Sequence, residues 1–215
     1  MSFAEYLEFN WDDLLTMAAE HLAVVVVALA LAVLIGVSVG MLTWQSPRWS
    51  GVALAASGGL LTIPSLALLA LLIPVLGLGW VPSVTALVLY SLLPIVRNTV
   101  AGLRAVDPAI LEAADGMGLS RTGAMWRVQL PMAWPVIITG IRVSAQLLFA
   151  IATIAAYVAG PGFGHEIFAG LARLGAANAL NQAIAGTLGV VALALVFDAA
   201  FIVIRRLTTS RGLRV

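Results

Sequence analysis

Charge enters this sequence in two places that demand a physical reason. The first is the stretch LEAADGMGLSRTGAMWRVQLPMAWP at 111–135, the longest charged interruption in an otherwise apolar chain. The second is the pair Arg142 and Asp198, each set inside an apolar run. An ionisable side chain facing lipid is costly, so such residues pair, reach for the interface or line a polar path. What is missing narrows the chemistry further. All eleven basic residues are arginine, and without lysine neither a P-loop for nucleotide phosphates nor a Schiff base can form. The absence of cysteine removes disulfides, thiolate metal sites and thiol redox chemistry. His21 and His165 are too isolated to hold a metal, so no catalytic residue, resident cofactor or metal is expected.

The elements that must position these residues follow from composition. With 62% hydrophobic and 10% charged residues in 215, and a mean hydropathy of +1.07, the chain belongs in a bilayer. Apolar runs long enough to span fall at about 18–42, 51–76, 81–102, 133–158 and 182–204, which predicts an all-α membrane protein of five helices. The second and third are joined only by the turn LGLGW and should form a tight hairpin. The acidic start MSFAEYLEFNWDDLLTM lacks the positive charge of a secretory signal. Arginine bias sets the orientation. With the amino terminus outside, Arg48, Arg97, Arg104, Arg121, Arg127, Arg205, Arg206, Arg211 and Arg214 lie on or near the cytoplasmic side, and only Arg173 is left outside. The 111–135 stretch is then cytoplasmic.

Within that stretch, Asp107 can cap a helix beginning at Pro108, where proline sacrifices no hydrogen bond. Gly116 or Gly118 can end it. A rod of this size is about 12 Å long at 1.5 Å per residue, too short to cross a membrane, and must lie along the surface. Ser120 can cap a second helix carrying Met125, Trp126 and Val128, with Pro131 stopping it before the chain re-enters near Trp134.

Glu112, Ala113 and Ala114, then Gly118, Val128, Leu130 and Pro131, at these intervals, resemble the EAA loop of binding-protein-dependent ABC transporter permeases. Val128 replaces the usual Ile, and Asp115 stands where a small or basic residue is more usual. The resemblance implies a type I importer permease fold in which the loop forms a coupling helix seated in a separate ATP-hydrolysing subunit. Small Ala113 and Ala114 would allow close approach, Glu112 a charge-assisted or capping contact, and Gly118 a sharp bend. The segments IPSLALLALLIPVLGLG, ALVLYSLLPIVRNTVAGL and ITGIRVSAQLLFAIATIAAYVAGPGFGHEIFAGL are similar to the branch that takes up osmoprotectants such as glycine betaine, choline and carnitine.

That resemblance implies an extracytoplasmic segment over 1–17, a permease domain over 18–204 with its coupling loop at about 103–132, and a cytoplasmic tail over 205–215. Implied partners are ABC ATPase subunits carrying ATP and Mg, a second permease subunit, identical or homologous, a separate extracytoplasmic substrate-binding protein, and membrane lipid, but no nucleic acid. The setting would be a bacterial or archaeal cytoplasmic membrane.

Candidate pore or gate residues are Pro64, Ser65, Tyr90, Asn98, Arg142, Gln146, Thr153 and Tyr157. Pro64 and Pro94 are either hinges or static kinks, and Ser65, Asn98, Gln146 and Thr153 are either path residues or interhelical hydrogen-bonding partners. Arg142 can snorkel, pair with Asp115 or a carbonyl, or act in a gate, and Asp198 can pair with an arginine such as Arg142. Gly36 and Gly40 are expected to pack against a neighbouring helix. His165, Glu166 and Arg173 form either a short outer helix touching the receptor or a solvated loop. The six tryptophans lie near span ends, as an interfacial belt rather than a cage for a quaternary ammonium ion. Two rivals remain at this level: a permease for another small solute, such as methionine, and a nucleotide-independent transporter or channel using Arg142 and Asp198 as an ion relay.

Overall fold

The computed structural model describes residues 1–208, so Arg211 and Arg214 lie outside the described residues. A short helix α1 (Phe3–Phe9) precedes α2 (Trp11–Thr43), followed by α3 (Pro47–Thr62), α4 (Ser65–Leu76) and α5 (Trp80–Arg104). The surface rod α6 (Pro108–Gly116) and the single turn α7 (Arg121–Ala124) lead into α8 (Leu130–Ile154), and α9 (Gly164–Ala172) and α10 (Ala179–Thr208) are the last helices among the described residues. Among the described residues, four helical stretches are long and apolar enough to cross a membrane, or five if α3 and α4 count as one broken span. The first begins at Trp11 rather than near 18.

The second expected span is not a straight rod. α3 and α4 meet at 98°, because the chain leaves the helical region at Ile63 (φ −75°, ψ 126°) just before Pro64. Proline disfavours the helical conformation in its predecessor and supplies no N–H to carry the ladder across. Tyr90 holds the corner from the next helix, its hydroxyl donating to the Ile63 carbonyl at 2.6 Å. Pro94, by contrast, sits inside an unbroken α5. The Gly-rich link to α5 is tight as expected, with Gly77 and Gly79 at φ +75° and +92°.

The core forms where α5 lies between α2 and α8, around Val25, Ala28, Leu87, Ile95, Ile137 and Leu148. Close approach requires the small residues on α2. A Cβ on Gly36 would lie 2.7 Å from Ile95 Cγ2, and one on Gly40 would lie 2.6 Å from Thr99 Cβ. Gly40→Val is therefore expected to cost about 1–3 kcal/mol by overpacking. Gly51→Ala, where nothing lies within 4 Å, should leave thermal unfolding in detergent unchanged or raised.

At the end of the bundle that carries α6, Arg104 donates to the Trp44 carbonyl and to Ser50 Oγ, both at 2.8 Å, and so ties α5 to the α2–α3 link. α10 is the least enclosed long helix, with only 6% of its most apolar window buried within the chain.

Candidate functional site

The surface rod is built as its residues dictate. Asp107 accepts from the Ala109 amide at 2.9 Å, and Pro108 occupies the first turn. At the far end, Gly118 N–H donates to the Asp115 carbonyl at 2.8 Å and Leu119 N–H to the Ala114 carbonyl at 3.1 Å. With Gly118 at φ +82°, this is a Schellman close, the hydrogen-bond pattern that lets a helix stop within two residues. Ser120 then caps the next turn by accepting from the Gly123 amide at 3.1 Å.

The face that α6 turns outward differs from the expected one in a single residue. Glu112 and Ala113 are exposed, but Ala114 is 1% exposed and packs inward. Its small size serves approach to this chain rather than to a partner. The sequence reading missed Ile110 and Met117, which are 36% and 75% exposed. With Ala113 between them they follow i, i+3, i+7 spacing and share one face. That periodicity was present in the sequence but hidden by a chain in which almost every position is apolar.

Pro131 does not stop the helix that enters the bundle. Met125–Gln129 forms a wide π turn and the helix runs on without a break into α8, giving one continuous stretch, Arg121–Val158. A π turn shifts the hydrogen-bond register and so accommodates a proline that offers no N–H. Buried Gln129 donates to the Leu103 carbonyl at 3.0 Å and fastens this turn to the end of α5. Val128 and Leu130 are half-buried here and Pro131 is exposed.

Of the alternatives for Arg142, the structure selects Asp198. Nε lies 2.5 Å from Oδ1 and Nη2 lies 2.6 Å from Oδ2, a two-pronged fork between α8 and α10. Gln146 Nε2 adds a third donor to Oδ1 at 2.8 Å. The side chains of Arg142 and Asp198 retain 35% and 21% exposure, so the fork opens onto the surface of the isolated chain. A planar guanidinium meeting a carboxylate in this way is the strongest geometry available to such a pair. Thr139, Arg142, Gln146 and Thr153 recur at three, four or seven residues along α8, which places them in one polar stripe, and Tyr157 follows in the short 3-10 turn Ala155–Val158. Thr153 Oγ1 donates back to the Phe149 carbonyl at 3.2 Å, and Tyr157 is 61% exposed and rests on Phe168.

The remaining candidates are not gathered into that stripe. Tyr90 is 3% exposed and committed to the corner at Ile63. Asn98 Nδ2 donates to the Pro94 carbonyl at 2.8 Å on α5, against which Gly140 packs closely. Pro64 and Ser65 lie at the α3–α4 corner.

At the opposite end, Glu166 is 7% exposed and does not reach outward as its sequence context suggested. The Tyr6 hydroxyl donates to it, and Gln182 Nε2 donates at 3.3 Å, so α1 is latched to α9 and α10. Burial, followed by the adjacent carboxylate, raises the Tyr6 pKa far above the usual phenolic value and keeps it a donor. Arg173 and Leu174 remain exposed beyond α9. His21 is buried beside Phe149 and Phe163 with Nε2 3.2 Å from the Phe149 carbonyl oxygen. Among the described residues, no cluster of ligating side chains fit for a metal occurs.

Comparison with known proteins places this geometry. Residues 32–209 match the family described as "Binding-protein-dependent transport system inner membrane component". The chain is 37% identical over 210 residues, 98% of its length and 95% of the relative's, to a choline transport system permease protein, OpuBB, of Bacillus subtilis. It is 36% identical over 219 residues, covering 100% of both chains, to an osmoprotectant import permease protein, OsmW, of Salmonella typhimurium. Its fold is similar to that of a chain in the inward-facing MetNI methionine ABC transporter, with a TM-score of 0.80, 21% identity and coverage of 98% of this chain and 100% of the other. The chain has the type I ABC importer permease fold and belongs to the binding-protein-dependent transport system inner membrane component family, as a multi-pass transport subunit of the inner membrane.

Proposed function

We propose that this chain is the permease of an ATP-driven importer for osmoprotectants such as glycine betaine, choline or carnitine, handed over by a separate extracytoplasmic binding protein. The observation that carries the coupling role is α6, a short rod capped at both ends that presents Ile110, Ala113 and Met117 outward beside Glu112. An apolar face of this size flanked by one carboxylate suits a groove on a partner protein. The solute class rests on full-length similarity to permeases of choline and osmoprotectant systems. The methionine transporter shares the fold at too low an identity to bear on the solute.

In this reading the amino terminus is outside and α6 is cytoplasmic, docked on an ABC ATPase dimer that binds ATP and Mg, while this chain pairs with a second permease subunit. Closure of the ATPases on ATP moves α6, and the π turn and α8 move with it as one continuous helix. The solute path runs along the polar stripe from Thr139 to Tyr157, facing the second permease. Nucleotide shifts the equilibrium between inward and outward forms only because the ATPase dimer binds ATP better in one of them.

The test is uptake of radiolabelled choline and glycine betaine into proteoliposomes containing permease and ATPase, with the binding protein outside and nucleotide inside. Accumulation with ATP, and none with ADP or without the binding protein, is expected. Uptake that proceeds unchanged without nucleotide would instead establish the nucleotide-independent transporter or channel.

A further inference from the structure

The end of the bundle opposite α6 is held together differently from the core. There α9 and α10 pack almost backbone to backbone: a Cβ on Gly170 would lie 2.6 Å from the Ala179 carbonyl oxygen, and one on Gly186 would lie 2.8 Å from Ile167 Cγ1. The two helices form one close-packed unit. α1 and the start of α2 do not close on it in the same way. An apolar cleft of about 400 Å³ lies between, with Leu7, Trp11 and Leu15 on one wall and Leu188, Ala192 and Val196 on the other. Apolar packing beside the cleft is a small knot around Tyr6, Leu14, Phe163 and Ala185. The remaining ties are polar. The Tyr6 hydroxyl and Gln182 Nε2 both donate to buried Glu166, and Asn181 Nδ2 donates to the Met1 carbonyl at 3.0 Å. With no ion-pair partner among the described residues, the Glu166 carboxylate depends on those two donors, and a buried acceptor that loses a donor is costly.

The link from α8 to this unit carries two unmet demands. Ala159 stands at φ +56°, in the left-handed region that side chains disfavour. His21 Nδ1, beside Gly162, is buried with no hydrogen-bonding partner among the described residues. Strain and orphaned polar groups of this kind gather in segments that switch. Further along α10, the fork pins Asp198 to α8, about 24 Å down the helix from Gln182. Helix α10 thus has a fixed point beyond its middle and a strained attachment at its start, and only 6% of its most apolar window is buried within the chain.

We infer that α9 and α10 act as a lever turning on the fork and the 159–163 link, and that the Tyr6–Glu166–Gln182 latch holds this lever in the conformation described here until a binding protein docks. The lever presupposes the importer reading above, in which this end is outside. Nucleotide and opening of the outer end then favour the same form, so by reciprocity a weakened latch lets the ATPases close without a binding protein. Tyr6 and Glu166 are positioning residues, acting through α9 and α10 rather than on the solute.

The test uses the permease–ATPase complex in nanodiscs, with ATP hydrolysis measured with and without choline-loaded binding protein, and amide hydrogen exchange read by mass spectrometry. Tyr6→Phe, which removes one hydroxyl, should raise hydrolysis without binding protein at least about threefold and speed exchange in α1 and α9, with α5 unchanged. Adding Ala192→Leu, which extends apolar contact across the cleft, should return both readouts toward wild type. Faster exchange in α1 alone, with hydrolysis still dependent on binding protein, would mean a merely structural contact and would overturn the latch, as would no change in either readout. If Tyr6→Phe does not assemble, Ala159→Gly serves in the opposite sense. Glycine relieves the left-handed strain, favours the present conformation and should lower hydrolysis stimulated by binding protein about threefold; an unchanged or raised rate would overturn the hinge. Wild-type complex that takes up no choline and ignores the binding protein would retire the importer reading, whereas exchange in Tyr6→Phe is read without transport and still decides whether the latch holds α9.

Discussion

Gly118→Val is expected to lower ATP-driven uptake at least about tenfold while leaving membrane insertion and monodispersity in detergent unchanged. Gly118 closes α6 at φ +82°, and a β-branched residue is a true outlier there. The left-handed conformation costs an L-residue about 1–2 kcal/mol, which changes the population of the rod's closed end by a factor of about 5–30. A Cβ at this position meets nothing within 4 Å in this chain. The loss must therefore come from backbone conformation or from contact with a docked partner, not from core packing. Gly118→Asn separates the two, because asparagine visits this region more readily. Uptake near wild type with Asn and lost with Val identifies the turn as the cause. Loss with both, together with weakened ATPase binding in pull-down, identifies the partner's surface. Unimpaired transport in the Val variant would remove α6 from the coupling role.

Asp198→Ala is expected to destabilise the permease more than any single change on its exposed helical faces. It strands Arg142 in an apolar segment, where an unpaired ionisable side chain is costly. It also deprives Gln146 of its acceptor. The measurement is thermal unfolding in detergent. The double variant Arg142→Leu with Asp198→Leu should recover most of the loss, since removing a low-dielectric pair together is far milder than removing one partner. Transport then decides what the fork is for. A stable double variant that still transports makes the fork an architectural clasp, and one that is stable but inactive makes it part of the path.

The sequence carried the architecture well because its strongest signals are local. Apolar runs located the membrane helices, Asp107 and Pro108 located the start of α6, and its end was narrowed to Gly116 or Gly118, of which the structure uses Gly118, each through backbone constraints that need no tertiary context. The failures fall where two local rules meet. Pro64 and Pro131 carry the same restriction, yet one turns the chain through 98° and the other is absorbed in a π turn. The difference lies in what surrounds each proline: Tyr90 holds the corner at Ile63, while Gln129 pins the wide turn to Leu103. Neither partner can be found from neighbours in the sequence, since they lie 27 and 26 residues away. For the same reason the inward turn of Ala114 and the burial of Glu166 were not legible, because a helix face is assigned by what packs on it. The pairing of Arg142 with Asp198 was one of several options open to two charges 56 residues apart.

The wide turn at Met125–Gln129 has a geometric corollary. It inserts an extra step into an otherwise uniform spiral, so everything beyond it is clocked against everything before. Rewinding it as a regular α-helical turn with every residue kept would swing the whole of α8 by about 100° relative to α7. Arg142 would then point away from Asp198 even though neither residue had been altered.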